Sequence, residues 1–219
     1  MAKGFLEALS PEENAAFRAV GIPRAYGANA TFIHQGDEAG PVIALLRGRV
    51  KIVTLAQGGR EAIVAVRGPG DLIGELAAID GGPRSTSVTT LEPVEVLLVP
   101  RSEFTALLEQ RPRVALVILR MLAAHLRYAG AQQAQFATHD VVGRLAQRLL
   151  ELSERFGVQR EEGIEIELPV SQEELASWIG ASREAVNKAF QLLRSLRIVQ
   201  TRRRRVTVLD VDALEHRAR

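Results

Sequence analysis

The sequence contains no cysteine. This absence excludes disulfides, thiolate-bound zinc, cysteine-ligated iron–sulfur clusters and a cysteine nucleophile. Long apolar runs are also missing, since the longest candidates are Val42 to Leu46 and Val114 to Leu119, whereas a membrane span needs about 20 apolar residues. The N-terminus carries early acids and lacks the apolar core of a signal peptide. We therefore expect a cytoplasmic protein with no membrane partner.

The net charge is small, +2 at pH 7, and by itself it does not indicate a nucleic-acid partner. The charges are nevertheless segregated along the chain. Between Gly180 and Val208 there are eight basic residues and one acid, whereas between Leu150 and Leu175 there are eight acids and two basic residues. The basic segment is the candidate for a nucleic-acid contact.

Short β-rich runs separated by glycine turns occupy residues from about 25 to 100, a pattern typical of an antiparallel sandwich or barrel. The motif beginning at Ser10 predicts a short helix before them. After residue 100 the apolar period becomes helical. Ser102 opens a short predicted helix, and Pro112 starts a longer one that runs to about Thr138. Asp140 is expected to cap the next helix, which ends at Gly157.

Apolar residues recur at steps of three and four along the predicted long helix. They are Val114, Val117, Met121, Ala124, Tyr128 and Ala131. This spacing is typical of a seam between two helices and predicts a homodimer. The alternative is a long helix packed on its own barrel, which Ala124, Ala129 and Gly130 would also suit.

A helix-turn-helix is predicted from about Ser171 to Leu196. Ser171 and Glu174 form a capping box, Gly180 allows a sharp turn, and Ser182 can cap a second helix. On that second helix one side is apolar, with Val186, Ala189, Phe190, Leu193 and Leu196, and the other is polar, with Arg183, Glu184, Asn187, Lys188, Gln191 and Arg194. The N-terminal part of such a helix reads bases in the major groove.

The polar side chains suit that role. An arginine fork matches the O6 and N7 acceptors of guanine, and a carboxylate can accept from the N4 amino group of cytosine. Four arginines, Arg202 to Arg205, follow between two β-like runs and predict a hairpin wing that grips phosphate. A solvated charge run is the alternative for the wing.

Several motifs together resemble the cyclic AMP receptor protein (Crp-Fnr) family of bacterial regulators. They are HQGD at His34, LLRGRVKI at Leu45, GDLIGELAAIDGGPRSTSV at Gly70, DVVGRLAQRLL at Asp140 and SQEELASWIGASREAVNKAFQLL at Ser171. The resemblance covers nearly the whole chain, in order. It implies an α+β fold with a jelly-roll-like cyclic-nucleotide-binding β-roll at residues 1–110, a dimerisation helix at 111–138 and a C-terminal winged helix-turn-helix at 139–219.

The resemblance also implies functional residues. In the family, the segment from Gly74 to Ser85 is a phosphate-binding cassette that holds a cyclic nucleotide, and the implied ligand residues are Gly74, Glu75, Leu76, Arg84 and Ser85. Arg183, Glu184 and Lys188 fall on base-reading positions, and lysine at 188 lacks the bidentate fork of arginine. Ser171, Ser182, Arg202, Arg203 and Arg204 are expected on DNA phosphates. The implied DNA site is a palindrome of GTGA-like half-sites ~34 Å apart.

One departure from the family concerns the effector. Family members that sense cyclic AMP carry a Thr-Ser type pair on the long helix, where this chain has Ala129 and Gly130, whose side chains form no hydrogen bonds. Another cyclic nucleotide, or activity without a ligand, therefore stays open beside cyclic AMP. RNA polymerase is a further candidate partner.

An enzyme is not expected. The glycines at 68, 70 and 74 have the wrong spacing for a dinucleotide loop, and we find no Walker lysine, nucleophile–base pair or metal cluster. A haem sensor would need an axial ligand from His34, His125, His139 and His216, whose spacing shows no pairing. We therefore predict an allosteric DNA-binding regulator with no required cofactor.

Overall fold

A computed structural model describes residues 4–55, 61–167 and 170–218. The chain forms two compact units, Met1–Arg127 and Tyr128–Arg219. Gly58 and Gly59, in one of the glycine turns expected between the β-rich runs, lie outside the described residues.

The first unit is a roll of two four-stranded antiparallel sheets with short helices around it. Its strands are β1 (Ile22–Tyr26), β2 (Thr31–Ile33), β3 (Val42–Arg47), β4 (Val50–Leu55), β5 (Glu61–Arg67), β6 (Leu72–Ile73), β7 (Ser87–Thr90) and β8 (Val94–Val99). Its helices are α1 (Phe5–Ala8), α2 (Pro11–Ala19), α3 (Glu75–Asp80) and α4 (Arg101–Gln110). The sheet orders are β1-β8-β3-β6 and β2-β7-β4-β5.

Two apolar cores hold this unit. Side chains from both sheets meet between them, among them Leu45, Val50 and Val96, which are fully buried. A second core joins the helices to the outer face of the first sheet, and Phe17 and Phe104 are fully buried there. The α+β architecture and the roll agree with the sequence prediction.

The helix α5 (Pro112–Thr138) starts and ends as predicted and continues from the first unit into the second. The second unit then contains α6 (Val141–Phe156), β9 (Gly157–Arg160), β10 (Gly163–Glu167), α7 (Gln172–Ile179), α8 (Arg183–Ser195), β11 (Val199–Arg202), β12 (Arg205–Val208) and α9 (Val211–Arg217). Its strands form one antiparallel sheet in the order β11-β12-β10-β9. Helices α7 and α8 with the β11–β12 hairpin form the winged helix-turn-helix.

Local start signals account for most helix boundaries. Capping boxes form at Ser10 and Ser171, and the Asp140 carboxylate accepts from the Gly143 amide at 2.8 Å, as predicted. The short helix α4 instead begins at Arg101, with Pro100 as its N-cap and no side-chain cap, so the predicted start at Ser102 was slightly late.

The predicted seam on α5 was wrong in its first half. Val114 and Val117 are buried in the core of their own unit, and Met121 packs against it. A different stripe is exposed, with Leu116 at 50%, Leu119 at 60% and Leu126 at 76%. For Val114, Val117 and Met121 the alternative is therefore correct, because these residues pack on the barrel of their own unit. The exposed leucines form a second apolar face of α5.

By length and composition alone, α5 could also cross a membrane, and it is the only helix among the described residues of which this is true. Such a test is weak for a single helix, because apolar helices that pack on protein pass it too. Arg113, Arg120 and Arg127 interrupt its apolar residues.

Candidate effector cavity and nucleic-acid interface

A cavity of about 170 Å³ opens in the first unit beside α3. All five residues that the family resemblance implied as ligand contacts line it: Gly74, Glu75, Leu76, Arg84 and Ser85. Ile33, Ile52 and Val88 add an apolar wall from the second sheet. The cavity therefore combines a charged side with an apolar side, as small-molecule pockets commonly do.

Arg84 is buried with 6% of its surface exposed. Its guanidinium donates to the carbonyl of Gly74 at 3.0 Å and to that of Pro41 at 2.7 Å. Burial lowers the pKa of Arg84, while the charges of Asp37 and Glu75 oppose that change. Since a guanidinium has five N–H donors, two backbone bonds fix its direction and leave donors for an anion.

Gly74 is required by this arrangement. Its φ of +81° lies in the left-handed region, and a Cβ there would stand 2.2 Å from Arg84 Nη1. Glycine avoids both the strain and the collision. The glycine and the arginine of the cassette thus depend on each other.

Glu75 is the buried acid of the cavity, 7% exposed. Burial raises the pKa of its carboxyl, whereas its own backbone amide and the charges of Arg67 and Arg84 act to lower it. An ionised carboxylate here can accept a hydrogen bond from a ligand hydroxyl.

Three further polar residues, Arg67, Thr86 and His125, line the cavity and were missed as ligand residues. Arg67 ends β5 and His125 lies on α5, and Arg67 Nη2 is 3.2 Å from His125 Nε2. From the sequence, His125 was a candidate only for a haem ligand. Arg67 and His125 are 58 positions apart in the sequence, so no local sequence pattern predicts their contact.

Ala129 and Gly130, where the family's cyclic-AMP sensors have polar residues, are both exposed on α5. A Cβ added to Gly130 would meet no described atom within 4 Å. Neither position is therefore held small by packing within the described chain.

The helix-turn-helix has the local geometry that its sequence predicts. Ser171 Oγ accepts from the Glu174 amide at 3.1 Å, and Ser182 Oγ accepts from the Ala185 amide at 3.1 Å. Gly180 has φ +62° at the end of α7. Each capping hydroxyl still has its own proton to donate.

The second helix, α8, presents its predicted polar face to solvent. Arg183, Glu184 and Lys188 are exposed in its first two turns, whereas Val186 and Phe190 are buried beneath them. Leu196 was predicted on the apolar side but is 43% exposed, because it lies at the C-cap beyond the packed turns.

The wing, formed by strands β11 and β12, follows α8 in the sequence. Arg202 pairs with Arg205 across the β11–β12 hairpin, Arg203 and Arg204 form its turn, and all four are exposed. Arg205 lies 3.6 Å from the Glu165 carboxylate of the neighbouring strand. Arg194 of α8 donates to Thr201 at 2.9 Å and so ties the helix to the wing.

A polar cluster, with Arg148 buried at its centre, joins the middle of α5 to the helix-turn-helix. Tyr128 donates to Glu151 at 2.7 Å, Arg148 contacts both, and the Arg148 guanidinium lies 4.4 Å from the centre of the Trp178 ring. Burial raises the pKa of Tyr128 to about 12. Helices α5, α6 and α7 thus share one set of contacts.

A second set of contacts connects α5 and α6 to the turn of the helix-turn-helix. Arg144 donates to the Ile179 carbonyl at 2.8 Å and to the His139 carbonyl at 2.7 Å, and its guanidinium lies over the Phe136 ring. A Cβ at Gly180 would approach Phe136 to 2.7 Å. Within the described residues, no group of three or more metal-ligating side chains occurs.

Comparison with family models identifies two domains. Residues 23–111 match the cyclic nucleotide-binding domain, and residues 143–217 match the Crp-like helix-turn-helix domain. A CRP-like cAMP-activated global transcriptional regulator of Mycobacterium tuberculosis is 32% identical over 216 residues, which are 99% of this chain and 96% of that protein. The Cyclic AMP receptor protein of Thermus thermophilus is 29% identical, with 94% of this chain and 93% of that protein covered.

Solved structures give the same architecture. FixK2 from Bradyrhizobium japonicum aligns with a TM-score of 0.79 at 23% identity, covering 90% of this chain and 96% of that one, which supports the fold. The Thermus thermophilus catabolite activator protein aligns with a TM-score of 0.56 at 28% identity, covering 98% and 97%.

Proposed function

The chain belongs to the Crp family of transcription regulators, with a cyclic nucleotide-binding domain and a helix-turn-helix DNA-binding domain, and from this premise we propose that it is an effector-controlled, sequence-specific regulator. In this proposal the first unit binds a cyclic nucleotide, and a homodimer reads a palindromic site. The family consists of regulators, so no catalytic step is assigned. A cytoplasmic location follows from the same role.

The observation that carries the effector proposal is the pair of buried, oppositely charged side chains in the cavity wall. Arg84 is oriented by two backbone carbonyls, and Glu75 lies at the start of the adjacent helix. We assign Arg84 and Ser85 to the phosphodiester, Glu75 to the ribose 2′-hydroxyl, and Gly74 and Leu76 to the backbone of the cradle. A buried charge is costly without a partner, and an anionic ligand provides one.

Cyclic AMP is one candidate effector, since the names of the Mycobacterium tuberculosis and Thermus thermophilus relatives refer to it. Ala129 and Gly130 offer no side-chain hydrogen bond to a base, which favours looser base discrimination or another cyclic nucleotide. Regulation without a ligand is the second candidate, because backbone carbonyls already engage Arg84.

We propose that the exposed stripe Leu116, Leu119 and Leu126 pairs with the same stripe of a second copy. These side chains recur at helical spacing and are at least half exposed, and such contiguous apolar surface indicates a protein contact. This assignment explains the apolar composition of α5 without a membrane.

For DNA, Arg183 is assigned to guanine, Glu184 to cytosine and Lys188 to a neighbouring base, all in the major groove. Ser171, Ser182, Arg202, Arg203 and Arg204 are assigned to phosphates, which add affinity without sequence preference. Two reading heads related by a dyad would recognise GTGA-like half-sites ~34 Å apart. RNA polymerase is a further expected partner of such a regulator.

Isothermal titration calorimetry with cyclic AMP, cyclic GMP and cyclic di-GMP tests the effector proposal. We expect one of these to bind the wild type, and Arg84→Ala to weaken that binding at least tenfold, since a buried charged hydrogen bond is lost. Arg47→Ala removes an exposed arginine of the same unit, which forms a surface ion pair with Glu95, and should leave affinity unchanged.

Thermal unfolding of each variant separates lost binding from lost folding. If no nucleotide binds the folded wild type at millimolar concentration, the effector proposal is wrong and the ligand-independent candidate stands.

A further inference from the structure

The effector cavity contains one contact that the cassette does not explain. Arg67 Nη2 lies 3.2 Å from His125 Nε2, and both residues line the cavity with Glu75 and Arg84. Arg67 is at the end of strand β5, whereas His125 is on α5. Both side chains are partly buried. A cation in the cavity wall is thus attached to the long helix.

The chemistry of this contact fixes the state of the histidine. A guanidinium has only N–H donors, so His125 Nε2 must be the acceptor. The imidazole is therefore neutral, with its proton on Nδ1. Protonation of Nε2 would place a second positive charge beside Arg67. It would also remove the lone pair that accepts the hydrogen bond from Arg67.

The positive charge of Arg67 affects the ionisation of Glu75. This charge, like that of Arg84, favours the ionised form of Glu75, whereas the charge of Asp71 disfavours it. Arg67 therefore favours the ionised carboxylate, which can only accept hydrogen bonds and so suits a ribose hydroxyl. Displacing Arg67 would favour the neutral acid in this buried position.

We propose that Arg67, held by neutral His125, is an effector-positioning residue that keeps Glu75 ready for the ribose hydroxyl and joins the occupied cavity to α5. The inference rests on the proposed binding of a cyclic nucleotide. Effector affinity consequently depends on the protonation of His125.

The test is calorimetry with the cyclic nucleotide that binds the wild type, between pH 8.0 and pH 5.5. Lowering the pH favours the imidazolium form of histidine, and a protonated His125 Nε2 can no longer accept from Arg67. Wild-type affinity should therefore fall several-fold at the lower pH, beyond any change due to Glu75. In His125→Gln the amide oxygen accepts from Arg67 at every pH, so this additional fall should disappear.

Two more variants complete the design. His125→Lys carries a permanent charge and should bind weakly even at pH 8.0. Arg67→Ala should bind weakly and should discriminate less between the nucleotide and its 2′-deoxy analogue than the wild type does, because Glu75 is no longer poised for the hydroxyl.

The outcomes separate this inference from the proposed function. Equal pH profiles for the wild type and His125→Gln, or unchanged discrimination in Arg67→Ala, would overturn the role of the pair while nucleotide binding stood. No binding by the wild type at pH 8.0 would instead overturn the effector proposal itself.

Discussion

Buried charged residues in both units lie against specific polar partners. The Arg84 guanidinium is directed by two backbone carbonyls, and the positive charges of Arg67 and Arg84 act on the Glu75 carboxyl. In the second unit, Arg148 lies between a phenol, a carboxylate and an indole ring. Removing one member of such a group leaves the others buried without their partner, which costs more than the bond itself.

Tyr128 gives the clearest residue-scale prediction. Burial raises its pKa to about 12, so the unfolded chain releases the phenolic proton first as the pH rises through ~10. The stability that the neutral phenol contributes is complete below pH 10 and is lost between about pH 10 and 12.

The measurement is chemical unfolding of wild type and Tyr128→Phe at pH 8 and pH 12. At pH 8 the wild type should be more stable by about 1–3 kcal/mol, because Glu151 and Arg148 lose a partner in the variant. By pH 12 that advantage should shrink by about 2 kcal/mol. Tyr26→Phe, which changes the other tyrosine, serves as control. An advantage that stays constant over this range would contradict the burial argument.

At the scale of helices and strands, the features that depend on neighbouring residues could be predicted from the sequence. The helix starts at Ser10, Ser171 and Pro112 depend on residues within one turn, and all three were predicted correctly. The roll was recognised through motif order, and the five residues that the same motifs implied as ligand contacts line one cavity. These features are local, or recur as a family pattern.

The remaining features depend on distant contacts. Helical periodicity placed Val114 and Val117 on one face, but it could not say whether that face meets a second copy or its own unit. The contact between Arg67 and His125 joins elements that only the folded roll brings together. Helix α5 carries two apolar faces, and only the fold distinguishes them.

The second face of α5 supplies the element-scale prediction. Leu126→Arg places a charge in the proposed seam, where burial without a partner is costly, and should convert the dimer to monomer at micromolar concentration in sedimentation velocity. Ile22→Arg changes another exposed apolar residue, 49% accessible on strand β1, and should remain dimeric. A monomeric wild type, or a Leu126→Arg variant that dimerises normally, would refute the seam.

At the scale of the whole molecule, regulation requires that effector binding in the first unit changes the free energy of DNA binding by the second. The cavity contacts α5 through His125, and three residues later Tyr128 connects the same helix to α6 and α7. An effector changes DNA binding only as far as it prefers the DNA-competent state. Such coupling is reciprocal and typically amounts to ~1–3 kcal/mol, or about 5–150-fold in affinity.

The most direct measurement is fluorescence anisotropy on a duplex with a GTGA-like palindrome, with and without the cyclic nucleotide that binds the wild type. At saturation we expect the affinity to rise at least about fivefold. Arg183→Ala should cost ~1–3 kcal/mol on this duplex while binding to a scrambled duplex changes little. An affinity unchanged by a nucleotide that calorimetry shows to be bound, or equal losses on both duplexes, would contradict an effector-controlled, sequence-reading regulator.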